Sequence, residues 1–459
     1  MIIDREAWQR VLEFDIENVR SEYGFATRLA KENFWTKDFT QRAIMEYRKF
    51  MFLAANADLM VSPSPVVDEV WHEHLTFTQS YHDFCSLLGK QIQHIPSTRD
   101  RHDFEKFRLA KERTGKLYAQ AFGEAPKDIW EFGGMYESLG LPKARMKIRA
   151  AVIIGILAFV VLLIPAFFVL QPIYTQIPGM SFVVGWMVLV LLSILLLELF
   201  NNSYLSKLIE ASDWASFIFR LHPLEVIYAK TQQLAHVVTG VLHQLLQSKK
   251  VALQQDGGYV GQEPSKAECA EEYSVLAMLE QWPGTRYNAL VRLLQNKPAI
   301  QNVGDCVDAI QKYVVKSKKF ATLFYTNLAV LLFVYLLGIA RLLIGMSRGR
   351  PVEVIGVVLI IFLVIIINHL RRLPGRVLTH AVAGYYEGKI ERSELAKQDV
   401  QWQYFLLGTA ALSPLLAAEA RQFDRELYGT GSGSSSGDSS SGDSSCGSSC
   451  SSCGRCGGD

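Results

Sequence analysis

Between Val67 and Cys85 the chain reads VDEVWHEHLTFTQSYHDFC, which gathers three histidines, two aspartates and a cysteine, and His94 follows shortly after. Imidazole, carboxylate and thiolate are the usual protein ligands of zinc and iron, so Asp68, His72, His74 and His94 form a candidate set for a transition metal such as zinc. On a helix Asp68 and His72 are four residues apart and share a face. His74 points away from them unless the helix ends near Glu73, and His94 would close the site from the following loop. If Asp68 is not a ligand, its carboxylate is placed to fix the tautomer of a ligating imidazole. A competing chemistry uses Cys85 as a nucleophile with His72 or His82 as its base. The plainest reading makes Trp71 and Tyr81 core anchors and leaves the histidines hydrogen-bonded to loop carbonyls. The spacing is neither HExxH nor paired CxxC, and the chain has no GxxxxGK loop and no GxSxG elbow, so no catalytic residue is assigned.

A second cluster closes the chain. Cys446, Cys450, Cys453 and Cys456 are separated by three, two and two residues within a run of Ser, Gly and Asp. Four thiolates on so flexible a backbone are able to surround one soft metal, against a large entropic cost of ordering Ser and Gly. The alternative is a disordered tail from 430 to 459 carrying reactive thiols.

The elements that must position these residues are mostly helical. Residues 1–140 read as an all-α domain, with Ala43, Ile44, Tyr47, Phe50, Met51 and Ala54 at helical spacing. Pro65 suits the first turn of the helix that carries Asp68 and His72. Further helices are predicted from about Thr78 to Leu88, ending at Gly89, and from about Asp100 to Phe122, ending at Gly123. Four apolar blocks follow at 151–170, 181–200, 321–340 and 352–370, each about 20 residues, the length that crosses a bilayer as a helix. KARMKIR precedes the first block, whereas its following turn, QPIYTQIPGM, carries no basic residue, so both termini are expected in the cytoplasm. The second hairpin is less regular: Lys316, Lys318, Lys319, Arg371, Arg372 and Arg376 flank its inner ends, yet Arg341, Arg348 and Arg350 lie at its outer turn. Glu198, near the inner boundary of the second block, is expected to reach toward water or meet Lys207.

Residues 201–319 form a soluble middle segment. Leu234, Val237, Val238, Val241, Leu242, Leu245 and Leu246 make an amphipathic stripe, leaving Gln233, His236, Thr239, His243, Gln244 and Gln247 on the face expected to be exposed. VALQQ, DGG and YVG then read as strand, turn and strand, which suggests a small winged-helix-like module. Residues 371–429 look helical, with an apolar patch from Phe405 to Ala418 broken by Gly408 and Pro414, an interfacial or packed helix.

Asp68, Trp71, His72, His74, Tyr81, Cys85, Gly89 and His94 together resemble the pattern of the glycine-rich-domain-containing-protein-like family, which implies a domain name and no reaction. LHPLEVIYA, the enclosing apolar helices and the Cys-bearing tail resemble an uncharacterised family of bacterial membrane proteins with near-low-complexity C-termini. The tail of this chain departs from that pattern in being mostly Ser.

The fold class expected is therefore a mainly α, polytopic membrane protein of the bacterial inner (plasma) membrane. With 47 basic and 45 acidic residues the chain carries a net charge of +2 and no global pull toward nucleic acid. Unevenly spread thiols in a chain facing the cytoplasm argue against a disulfide framework. The expected partners are the lipid bilayer and a protein, with no nucleic acid, and the leading function is a binding or scaffolding unit presented to the cytoplasm. The alternatives are a metal-dependent or thiol enzyme using the Asp68/His72/His74/Cys85/His94 cluster and, less well supported by the few polar residues at mid-span, a transporter or channel.

Overall fold

The computed structural model describes residues 4–16, 21–95, 101–210, 216–391 and 399–428. The Cys446–Cys456 cluster and the Ser/Gly tail lie outside them. The protein is mainly helical, at 77%. Seven helices open the chain: α1 (Arg5–Glu13), α2 (Phe25–Asn33), α3 (Lys37–Asn56), α4 (Pro65–Thr76), α5 (Thr78–Leu87), α6 (Arg101–Phe122) and the single turn α7 (Lys127–Trp130). Then come α8 (Ile148–Tyr174), α9 (Gly179–Glu210), α10 (Pro223–Thr231) and α11 (Leu234–Gln247), followed by strands β1 (Val251–Leu253) and β2 (Gly258–Gly261). Beyond them lie α12 (Ala270–Gln281), β3 (Thr285–Arg286), α13 (Tyr287–Leu294), α14 (Pro298–Val315), α15 (Lys318–Ser347), α16 (Glu353–Arg376), α17 (Ala383–Ile390), α18 (Val400–Leu407) and α19 (Pro414–Tyr428).

Local chemistry explains the boundaries around the histidine motif. Ser64 caps α4 by accepting a hydrogen bond from the Val67 amide, and Pro65 occupies the first turn, where its missing N–H costs nothing. α5 stops at Gly89 and α6 at Gly123, both left-handed at φ +71° and +83°. The strands form an antiparallel sheet in the order β1-β2-β3, with Val251 opposite Gly261 and Gly258 opposite Arg286. Glycine is required at 258, because a Cβ there would sit 2.6 Å from the carbonyl oxygen of Gly284.

One hydrophobic core runs through the N-terminal, middle and C-terminal segments. Phe39 and Tyr47 from α3, Val238 and Leu242 from α11, Leu290 from α13 and Phe405 and Phe423 from α18 and α19 belong to the same buried cluster. The ends of the apolar helices enter it too, through Leu205, Leu208, Phe320 and Leu323. These segments thus make one head seated on a four-helix stalk. The apolar patch after Phe405 is a packed helix pair, split where Gly408 takes φ +59° and Pro414 starts α19.

The stalk holds four helices long and apolar enough to cross a membrane, Ile148–Tyr174, Gly179–Ile209, Lys318–Ser347 and Glu353–Ile390. They include the first three predicted blocks and all of the fourth except Val352, and extend beyond them. At Gly338 an added Cβ would meet the Trp186 ring at 2.6 Å, and Trp186 Nε1 donates to the Val334 carbonyl at 3.0 Å, so α9 and α15 pack backbone to ring. Asn201 and Asn327 exchange side-chain hydrogen bonds at 2.9 and 2.7 Å, and His369 lies 2.9 Å from Asn327 Oδ1.

Two expectations are corrected. Glu198 stays partly exposed to water, at 44%, but does not meet Lys207; it pairs instead with Arg376 of α16, whose Nη1 lies 2.7 Å from Oε2. Lys207 is nine residues further along the same helix, about 14 Å away in rise, whereas Arg376 comes from the helix alongside. The face of α11 expected to be exposed is mostly covered: Thr239 is 1% and His243 2% accessible, Gln233, His236 and Gln244 are half-buried, and Gln247 alone of the six is exposed. Tyr287 of α13 bonds Thr239 at 2.7 Å, and Tyr404 of α18 bonds His236 at 2.9 Å. Helices distant in sequence return to cover the polar face of α11, which periodicity within α11 cannot reveal.

Candidate metal site at Asp68, His72 and His94

Helix α4 runs to Thr76, beyond both motif histidines, and so sends them in different directions. Asp68 and His72 lie on its outer face, with His72 Nε2 4.0 Å from Asp68 Oδ2. His94 comes from the segment after α5, and its Nε2 is 3.0 Å from Asp68 Oδ1. The His72 and His94 ring centres are 4.5 Å apart. One ligand atom from each of the three lies within 4.8 Å of the other two. A metal with 2.0–2.2 Å bonds needs them somewhat closer. His72 can supply that movement, since half of its side chain, 51%, is exposed.

What holds His94 in place is the aromatic pair of the motif. Tyr81 accepts a hydrogen bond from Trp71 Nε1 at 3.1 Å and donates its own proton to the Ile92 carbonyl, two residues before His94. The Trp71 ring meets the His94 ring edge-on, centres 4.7 Å apart. Trp71 and Tyr81 are both buried. They are core anchors and also the support that brings a loop imidazole to the carboxylate of α4, as outer-shell groups do at metal sites.

The site opens on a cleft of about 600 Å³ whose walls include Asp68, Trp71, His94, Pro63, Lys90 and Lys111. Two histidines and one carboxylate would hold a metal ion with coordination positions left for water or a ligand.

The other predicted residues go elsewhere. His74 is fully buried, with Nδ1 2.8 Å from the Tyr47 hydroxyl and Nε2 3.0 Å from Ser80 Oγ. Burial, with a smaller contribution from Arg48, pushes its pKa down to about 4, so the ring is neutral near pH 7. Both nitrogens are used, and the side chain is on the opposite side of α4 from Asp68 and His72. Cys85 is buried beside Tyr81, His82 is exposed, and among the described residues no histidine hydrogen-bonds the Cys85 thiol.

A charged cluster that the sequence reading missed joins the N-terminal helices to the middle segment. The Lys37 ammonium lies 3.0 Å from Glu271, and the Lys37 amide donates to Glu225 at 2.7 Å. Burial raises the Glu225 carboxyl to about 7 against the backbone N–H groups of Lys37 and His222, which favour ionisation. Burial opposes the ionisation of Glu271 most strongly, but Lys37, His222, the Cys269 thiol and a backbone N–H together outweigh it and hold that carboxyl at about 2. The cluster reads as a clamp between segments, since each of these charges is met by a partner.

Against known proteins, no curated protein and no solved structure matches the chain. Neither of the two resemblances drawn from the histidine motif and from the membrane region with its tail gains support from these comparisons. Residues 15–106, about a fifth of the chain and the part that contains Asp68, His72 and His94, match the model of an uncharacterised family described as UCP032817-like.

Proposed function

We propose that the protein is a four-span membrane protein whose head is a cytoplasmic binding unit, and that Asp68, His72 and His94 hold the transition-metal ion through which the head takes its ligand. The observation that carries this reading is the convergence of three ligand atoms within 4.8 Å, with Asp68 and His94 on the wall of the cleft. Trp71 and Tyr81 support it, because their hydrogen bonds settle the position of the His94 segment. The basic residues before α8 support a cytoplasmic head.

The test uses the full chain in detergent, because residues 1–140 share their core with the rest of the head. Purified protein is assayed for zinc, iron and manganese beside His72→Ala and His94→Ala. About one equivalent of metal in the parent and none in either variant is the expected result. Folded parent protein that takes up no metal from micromolar zinc would sink the reading. For orientation, a cysteine replacing Thr175 in a background without the native thiols should react with an impermeant reagent in intact cells. Cysteines in tags at either terminus should not.

The free coordination positions favour one second reading, an enzyme that activates water or a substrate carbonyl at the same ion. The cleft wall sets Lys90 and Lys111 against Asp58 and Asp68, so a bound cation would make it positive and suited to an anionic substrate. Loss of metal without loss of any turnover of anionic esters or amides would exclude it.

A further inference from the structure

At the end of the stalk away from the head, the turns of the two helical hairpins enclose a cavity of about 550 Å³. Its polar lining is dominated by Arg341, Arg348 and Arg350, with Glu353 as the one carboxylate among its lining residues, which leaves two positive charges in excess. Basic residues are depleted from outer turns in membrane proteins, so three in ten residues need a reason. Arg341 has a structural one. Its guanidinium donates to the carbonyls of Tyr174 and Ile177, the latter at 2.8 Å, and lies over the Phe182 ring at 5.2 Å. It ties the end of α8 to α15 and keeps further N–H donors free.

Arg348 and Arg350 have no such work. Both are exposed, and among the described residues no carboxylate forms an ion pair with either. Around them the cavity also contains the first residues of α9 and α16, whose opening N–H groups have no helical acceptor. On the other side its wall is apolar, from Ile177, Phe182, Val183, Ile344 and Ile355. Unpaired guanidinium groups beside free amides suit a phosphate, and an apolar wall at the level where the helices leave the bilayer suits acyl chain.

We propose that this cavity binds the phosphate of an anionic phospholipid headgroup, held by Arg348 and Arg350 with Arg341 behind them. The site would fix the two hairpins to each other through a lipid at the outer face. It also accounts for the basic residues that run against the orientation bias of the rest of the chain.

Full-length protein in non-ionic detergent is titrated with dioctanoyl phosphatidylglycerol, with dioctanoyl phosphatidylcholine and with inorganic phosphate, and binding and unfolding temperature are followed. The parent should bind phosphatidylglycerol about ten-fold more tightly than phosphatidylcholine, an increment ordinary for charge-assisted hydrogen bonds. The Arg348→Gln/Arg350→Gln variant should lose that preference. Both positions are exposed, so the variant should keep the fold, and the unfolding temperature without lipid checks it. Saturation by inorganic phosphate alone, lost in the variant, would support the anion site and name free phosphate as its occupant. Lys147→Gln/Arg149→Gln, at the opposite end of α8, should leave the preference intact. Equal binding of the two lipids by the parent, retention of the preference in the Arg348/Arg350 variant, or its loss in the Lys147/Arg149 variant overturns the proposal.

Discussion

His72 and His74 stand two residues apart on one helix and have opposite fates. A step of two residues turns about 200° around a helix, so the two imidazoles cannot share a surface. His74 points inward, among the rings of Phe25, Tyr47, Tyr81 and Phe84, with both nitrogens engaged. His72 points outward, half exposed, toward a carboxylate and a second imidazole. The contrast teaches that a His-x-His pair within a continuous helix divides its labour: one residue specifies packing and the other remains free to bind.

The comparison breaks most forcefully at the inner histidine. His74→Ala would leave the Tyr47 and Ser80 hydroxyls without their partner and open a cavity among four aromatic rings. The expected loss is about 3 kcal/mol of stability. Denaturation of the detergent-solubilised protein measures it, and metal content of the fraction that stays folded should be unchanged. A variant within about 0.5 kcal/mol of the parent would show that His74 is dispensable to the core.

The same residue should contribute to a pH effect, beside His222, whose pKa burial pushes down to about 3. The folded pKa of His74, about 4, lies below the unfolded value of 6.5. Between those values the unfolded chain binds more protons than the native one, so stability rises with pH across this window and is lost as pH falls from about 6.5 toward 4. The full window is worth about 3 kcal/mol at 1.36 kcal/mol per unit. His74→Gln should make this part of the stability profile shallower, leaving the slope that His222 contributes across it and the one that Glu271 contributes below pH 4.5. An unchanged profile in that variant would assign the acid sensitivity to other groups.

How much of this could be read beforehand follows from the range of each interaction. Pro65 at the start of α4, Gly89 and Gly123 as stops and the four apolar helices depend on neighbours within a turn or on unbroken hydrophobic length, and all are visible in the sequence. So was the shared face of Asp68 and His72, an i to i+4 relation. The inward turn of His74 required knowing that α4 continues past Glu73, which no local signal decides. The Lys37 clamp was invisible, because its contacts to Glu225 and Glu271 span 188 and 234 residues. The same holds for α11, whose polar face looked exposed until Tyr404 and Tyr287 closed over it. Arg376 as the partner of Glu198 depended on which helix lies beside α9, and pairing between helices has no periodicity of its own.

A subtler cut separates the two faces through their common support. Tyr81→Phe keeps the ring but removes the hydroxyl that joins Trp71 Nε1 to the Ile92 carbonyl. Stability should fall by about 1–2 kcal/mol, the cost of leaving those buried groups unpaired. The segment carrying His94 would also lose its tether, so metal affinity should fall 10- to 100-fold, as on loss of other outer-shell contacts. Equal metal affinity in parent and variant would mean that Asp68 alone positions His94.

The smallest stability effect should come from the outer histidine, and there the difference between the faces becomes sharpest. His72 contributes no buried surface comparable to that of His74, and the Asp68 carboxylate is 4.0 Å away, beyond hydrogen-bond distance. Truncation to Ala should therefore change stability in the absence of metal by less than about 0.5 kcal/mol, as at other surface positions. With zinc present the parent should gain stability by mass action, about 2.7 kcal/mol at a free concentration one hundred times Kd. His72→Ala should show no such gain. His74→Gln should still show it, even from a lower starting stability, because its loss of packing leaves the outer ligands in place. Zinc stabilisation that survives His72→Ala but disappears in His74→Gln would reverse the assignment of the two faces.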